Sequence, residues 1–216
     1  MNAYTTMLAG LFVVHALALA SPGPNVLIVM RAALGDSRRS GVLTALGVAS
    51  GAAMWSIAAL FGLSLELVRT PMLAAALRAV GGLYLVYLGW RLWRGAGDDA
   101  FARLADVDLP ARRGDARAYR QGVLTNLTNP KALVFFVGIF GALLPPAAPL
   151  WVKLCAIAIV VINATAWHVA LACFFSTRRA RHVYARVKPW VDRIAGAALA
   201  VLGLRLLLPD GGFDRG

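Results

Sequence analysis

Six apolar blocks, each about as long as a bilayer crossing, constrain this chain more than any other feature of its 216 residues. They are Met7–Met30, Val42–Leu65, Pro71–Trp90, Gly122–Leu144, Trp151–Ser176 and Trp190–Leu208. A hydrocarbon core about 30 Å thick takes about 20 residues of helix. Lipid offers the backbone no hydrogen-bond partner, so blocks of this kind must be helical. Composition agrees: 60% of residues are hydrophobic and 15% charged, against about 45–50% and about 25% in soluble domains. The pattern predicts an all-α membrane protein of six transmembrane helices.

The formal charge of +12 would suit nucleic acid if it were gathered on a folded basic domain. It is not. Segments 31–41, 91–121 and 177–189 hold fifteen Lys and Arg, while segments 1–6, 66–70, 145–150 and 209–216 hold two, Arg69 and Arg215. This alternation is the positive-inside pattern. It predicts both termini outside and the three basic segments in the cytoplasm, as in a multi-pass protein of a bacterial inner membrane. The expected partners are lipid and a small molecule, with no nucleic acid. Self-association is left open. Ala18-Leu19-Ala20 has the look of a signal-peptidase site. No Lys or Arg precedes Arg31, however, and the apolar run continues to Met30, so the first block reads as a retained helix.

The third and sixth blocks resemble each other. Val80–Leu92 laid on Ile194–Leu206 at an offset of 114 gives six identities in thirteen positions, among them Gly82/Gly196, Gly89/Gly203 and Arg91/Arg205. Coincidence between apolar helices is the competing reading. Read as a repeat, residues 1–90 form one three-helix half, 91–121 a basic cytoplasmic linker, and 122–216 the second half. Three spans are an odd number, so the halves are inverted, a construction common in secondary transporters. The tail of the linker, residues 116–121, is expected near the membrane surface.

Two blocks are interrupted. The first contains Ser21-Pro22-Gly23-Pro24-Asn25; the fourth contains Asn126-Leu127-Thr128-Asn129-Pro130-Lys131. Each proline lacks an N–H and releases the carbonyl four residues back, here those of Ala18, Ala20 and Asn126. The residue before each proline is pushed out of helical angles. A half-helix N-terminus attracts a carboxylate, and released carbonyls attract an ammonium. Paired breaks in matched spans point to a transporter's binding site, whereas a single one is commonly a plain kink. Lys131 falls about 13 Å into its block at 1.5 Å per residue. It either snorkels to the cytoplasmic interface or meets a substrate carboxylate.

Asn163 shares a face with Trp167 and is read as an interhelical hydrogen bond or a substrate contact. His15 and His168 are read as packing residues or proton carriers. Gly47 and Gly51 form a close-packing face. Cys155 and Cys173, eighteen residues apart on one helix, are separated by about 27 Å and cannot bridge. Glu66 and Asp192 are placed at span ends, so no span holds a central carboxylate for a proton relay. No Cys/His cluster or phosphate loop suggests a metal or nucleotide, and no cofactor is expected.

These motifs together resemble the LysE/RhtB family of amino-acid exporters. The resemblance rests on Ser21–Asn25 in the first span, Gly122–Ala132 in the fourth, and Gly81–Leu85 with Leu88-Gly89 in the third. It covers essentially the whole chain. It implies export of amino acids from the cytoplasm, driven by the proton gradient or membrane potential, without enzyme activity. It points to Pro22, Gly23, Pro24, Asn25, Asn129, Pro130 and Lys131 as transport residues, beside Asn126 and Asn163 read from the pattern. A membrane-embedded redox enzyme using Cys155 and Cys173, or an ion channel, are the alternative classes.

Overall fold

Prolines decide where the first and fourth apolar blocks break. The computed structural model describes residues 3–20, 23–62, 71–94, 114–145, 147–175 and 178–207, and every regular element among them is helical. Helix α1 (Ala3–Ala20) is followed by α2 (Pro24–Gly35). Gly23 caps α2 in an extended conformation, φ −163° and ψ −177°, with Pro24 in the first turn. The third and fourth helices, α3 (Arg38–Ile57, continued by a π-helical stretch Ala58–Gly62) and α4 (Pro71–Arg94), lie between the two breaks in the chain. In the fourth block α5 (Asp115–Leu127) gives way to α6 (Pro130–Leu143). Asn129 caps α6 at φ −79° and ψ 108°, again with a proline just inside. Both pre-proline residues lie outside the helical region, as the proline ring demands. Ser21 and Pro22 lie outside the described residues.

The last two helices are α7 (Leu150–Phe175) and α8 (Arg178–Leu207). Among the described residues, three helices are long and apolar enough to cross a membrane: Ala3–Ala20, Arg38–Gly62 and Leu150–Phe174. The pair α5–α6 passes as a fourth, bent by 58° at its break. The protein is therefore an all-helical membrane protein. Its outward residues agree, with Phe12, Val13, Met54, Leu154 and Ile162 among the exposed large apolar side chains.

One segment differs from the sequence expectation. Residues 178–189, expected as a basic linker, form the first turns of α8, and Pro189 sits inside that helix. Asp192, expected at the end of a span, is consequently in the middle of α8 and 1% exposed. Residues 116–121 belong to α5. There Ala118 is buried, and its carbonyl accepts a hydrogen bond from the Thr44 hydroxyl of α3 at 3.2 Å.

One apolar core joins α1, α3, α6 and α7 through Leu11, Val14, Ala52, Phe135, Ile139 and Val160, and takes in Leu85 and Leu88 of α4 and Leu199 of α8. Two helix crossings are glycine-lined. On α3 and α5, a Cβ on Gly47 would strike the Tyr119 carbonyl, and one on Gly122 would strike the Thr44 carbonyl. On α4 and α8, a Cβ on Gly203 would lie 2.6 Å from the Gly82 carbonyl, and one on Gly196 would lie 2.7 Å from the Gly89 carbonyl. Small residues that let backbones touch are the usual device where apolar burial cannot drive association. Because the obstacle at Gly122 is backbone, Gly122→Val is expected to push α3 and α5 apart. The cost should be at least the roughly 1–3 kcal/mol of ordinary overpacking. It should show as reduced membrane accumulation and a lower unfolding temperature in detergent, whereas Gly10→Val, with nothing near its Cβ, should leave both unchanged.

Candidate functional site

The two breaks meet. Asn129 Nδ2 donates to Asn25 Oδ1 at 3.2 Å, so the N-terminal ends of α2 and α6 adjoin each other. Asn129 also holds its own helix: its Oδ1 accepts from the Lys131 backbone N–H at 3.0 Å, the usual way an asparagine caps an orphan donor. The Lys131 side chain leaves α6 toward the broken end of α1. There Nζ donates to the Ala18 carbonyl at 3.3 Å. Proline at position 22 has no N–H to offer that carbonyl, so the lysine occupies a vacancy created by the break.

Asn126 shows the other side of the same accounting. Its carbonyl, released by Pro130, is taken by the Asn129 N–H at 3.1 Å and approached by Trp55 Nε1 at 3.4 Å. Its side chain packs on Gly51, where a Cβ would come within 2.8 Å of Asn126 Cβ. Gly51 thus seats Asn126 at the break. The asparagine is 2% exposed, and its Oδ1 finds no hydrogen-bond partner among the described residues.

These residues surround one cavity of about 50 Å³. Its wall includes Gly23 and Asn25 from the first break, and Asn126, Asn129 and Lys131 from the second. Ala18 and His15 of α1, Ala52 of α3, Phe135 and Phe136 of α6, and Ala164 and His168 of α7 complete most of it. At roughly 10–15 Å³ per water, the space suits a few water molecules or a small head group. Pro24 and Pro130 begin the two helices whose N-termini adjoin it.

Asn163 is not part of the wall. Its Nδ2 donates to the Phe12 carbonyl of α1 at 3.1 Å, tying α7 to α1. Four further residues belong to the site or its surroundings although the sequence did not place them there. His15 and His168, whose sequence pattern shows only a histidine in an apolar helix, face the same cavity as Lys131. Asp192 of α8 and Arg91 of α4 are close enough to Lys131 for their charges to act on it. The offset of 114 relates the third and sixth spans and carries no direct signal for Asp192. Only the helical course of 178–189 reveals its depth. Neither cysteine forms a disulfide. Cys173 Sγ accepts from Arg38 Nη2 at 3.1 Å, and Cys155 is exposed near the other end of the same helix. Among the described residues no group of three or more His, Cys, Asp or Glu is arranged to hold a metal ion.

A helical membrane protein with paired proline breaks around a small cavity, mostly apolar with a few convergent polar groups, has the form of a translocator, and sequence comparison gives the family. The model of the LysE type translocators matches residues 16–209, and the chain belongs to that family. It is a transporter, not an enzyme. An uncharacterized membrane protein of Escherichia coli K12, YahN, is 34% identical over 198 residues, covering 92% of this chain and 86% of the relative. The threonine efflux protein of Salmonella typhi is 33% identical over 197 residues, covering 90% of this chain and 94% of the relative. The leucine efflux protein of Salmonella choleraesuis is 28% identical over 149 residues, covering 69% of this chain and 66% of the relative. No solved structure matches the chain.

Proposed function

We propose that this protein is a six-span secondary exporter of amino acids, built as two inverted three-helix halves, with its substrate site at the paired breaks. The observation that carries the reading is the Lys131–Ala18 bond across the cavity. A zwitterionic amino acid inserts into that pair. Its carboxylate takes Lys131 and the N–H groups at the start of α2, which no side chain caps, while its ammonium takes the vacated Ala18 carbonyl. Both charges are then replaced in kind, which limits the desolvation cost of entering a low-dielectric site. Without ligand, lysine and carbonyl satisfy each other, so the empty carrier is also stable.

The inverted arrangement draws support from the α4–α8 crossing. If Gly82 corresponds to Gly196 and Gly89 to Gly203, a two-fold relation demands that each glycine touch the partner of the other. Gly82 adjoins Gly203 and Gly89 adjoins Gly196. The proposed halves are 1–90 and 122–216, joined by the basic segment 91–121. The relatives named for threonine and leucine efflux make neutral amino acids the first substrates to try. Export is driven by the proton gradient or membrane potential.

The test is efflux from cells loaded with amino acids as dipeptides, with and without the protein. A neutral amino acid should leave faster when the protein is present; equal rates for all amino acids would overturn the exporter reading. Orientation has its own test, in a Cys155→Ser, Cys173→Ser background. An impermeant thiol reagent on intact cells should label Gly212→Cys and miss Ala105→Cys until the membrane is opened. Labelling of Ala105→Cys from outside would refute a cytoplasmic central segment.

A further inference from the structure

We infer that the outer flank of the α4–α8 crossing binds an anionic phospholipid, its phosphate held by Arg94 and Arg193 and an acyl chain lying along the crossing. The two helices are antiparallel, since Gly82 meets Gly203 and Gly89 meets Gly196. Each helical residue advances by about 100°, and in an antiparallel pair equal turns along the two chains lead to the same flank. The residues that follow the four glycines are Leu83, Trp90, Ala197 and Leu204, and all four are exposed. Helix α6 meets α4 at Gly81, on the other side of Gly82. This flank therefore turns away from the bundle and toward lipid.

Followed toward the end of α4, the same register brings Trp93 level with Asp192. Arg94 and Arg193 each lie one residue from that level, about 1.5 Å of rise, and both are exposed. Trp90 and Arg94 share a face at i, i+4, and the guanidinium carbon of Arg94 lies 5.0 Å from the Trp90 ring centroid. That of Arg193 lies 5.8 Å from the Trp190 ring centroid. These cation–π contacts hold each guanidinium by its face and leave its N–H edge for an anion. Trp90, Trp93 and Trp190 are 52%, 55% and 65% exposed, and tryptophan on the outside of a membrane protein marks the head-group level. Toward the bilayer centre, Leu83, Tyr87 and Leu204 continue the flank as exposed apolar side chains. The flank thus passes from cationic to apolar, as a phospholipid passes from head group to chain. Among the described residues neither Arg94 nor Arg193 forms a salt bridge. Asp192 is 1% exposed, on the crossing rather than on its flank. The sequence of residues 177–191 adds five Lys and Arg and no Asp or Glu. Such an excess of positive charge favours a head group of net negative charge over a zwitterionic one, whose cation it repels. In the proposed orientation this end faces the cytoplasm.

The test is a titration of the purified full-length protein, in mild detergent, with phosphatidylglycerol or with phosphatidylcholine of the same acyl chains, read by native mass spectrometry. Wild type should bind phosphatidylglycerol about tenfold to thirtyfold more tightly, since each arginine near an anionic lipid contributes about fivefold. Arg94→Gln and Arg193→Gln should each lower that preference about fivefold. The double variant should abolish it, and Lys at either position should keep part of it. Arg120→Gln, which removes an exposed charge from α5, should leave it unchanged. Phosphatidylglycerol should also raise the unfolding temperature, while glycerol phosphate, a head group without chains, should not. Equal binding of the two lipids by wild type would overturn the inference. So would an equal loss in Arg120→Gln, which would mean diffuse charge and no site. An equal thermal effect of glycerol phosphate would overturn it too, by showing an anion site that needs no lipid. None of these outcomes bears on what the protein exports.

Discussion

Lys131→Ala is expected to raise the half-saturating substrate concentration for efflux by about tenfold to a hundredfold while the protein accumulates normally in the membrane. A hydrogen bond to a charged group is worth about 1.5–3 kcal/mol, and each step of about 1.4 kcal/mol is a factor of ten. Two partners lose that bond: the substrate carboxylate, and in the empty protein the Ala18 carbonyl that Nζ now holds at 3.3 Å. Lys131→Arg should retain part of the function, since the charge survives but the flat guanidinium does not fit a point-charge site. Lys131→Met tests packing separately, because it keeps an unbranched side chain of similar length and removes the charge. Efflux concentration curves for the three variants distinguish the two readings of this residue. Wild-type affinity in Lys131→Met would return it to a snorkelling lysine with no part in binding.

The parts of the fold that were legible in the sequence are those governed by local chemistry. Pro24 and Pro130 remove an N–H and push the residue before them out of helical angles, so both breaks could be placed from the sequence. The vacant Ala18 carbonyl follows from the same rule, although its occupant, a lysine 113 residues away, does not. Gly82, Gly89, Gly196 and Gly203 stand out in the sequence, and the α4–α8 crossing accepts little else at those positions. Asp192 was misplaced for a local reason too. Pro189-Trp190 reads as a helix start, and five basic residues before it read as a loop, yet the helix runs through from Arg178. Tertiary packing overrides one proline when its neighbours supply the rest of the helix. The place of His15 and His168 in the site was out of reach because neither has a motif. Their meaning comes only from facing Lys131 across a cavity built by α1, α6 and α7.

Asn25 and Asn129 should be coupled, and the pattern of coupling separates a shared site from two ordinary kinks. Asn129→Ala removes both the α6 cap and the bond to Asn25, so efflux should fall sharply, and the lost cap alone should cost about 0.5–2 kcal/mol of stability. Asn129→Asp divides the two roles. Its carboxylate still accepts from the Lys131 N–H, which preserves the cap, but it cannot donate to Asn25 Oδ1. It should therefore fold like the wild type and transport poorly. Asn25→Ala removes only the acceptor at 3.2 Å, and adding it to Asn129→Ala should cost much less than the sum of the two. The non-additivity should fall within the roughly 0.5–3 kcal/mol typical of residues in contact, read as apparent affinity in efflux and as unfolding temperature in detergent. Pro24→Ala and Pro130→Ala act on the backbone instead. Each returns an N–H to its chain and favours a continuous helix, which reclaims the carbonyl of Ala20 or Asn126. Stability should stay level or rise while efflux falls. Strictly additive asparagine effects, together with proline variants that unfold but transport at the normal rate per folded molecule, would place the substrate away from the breaks.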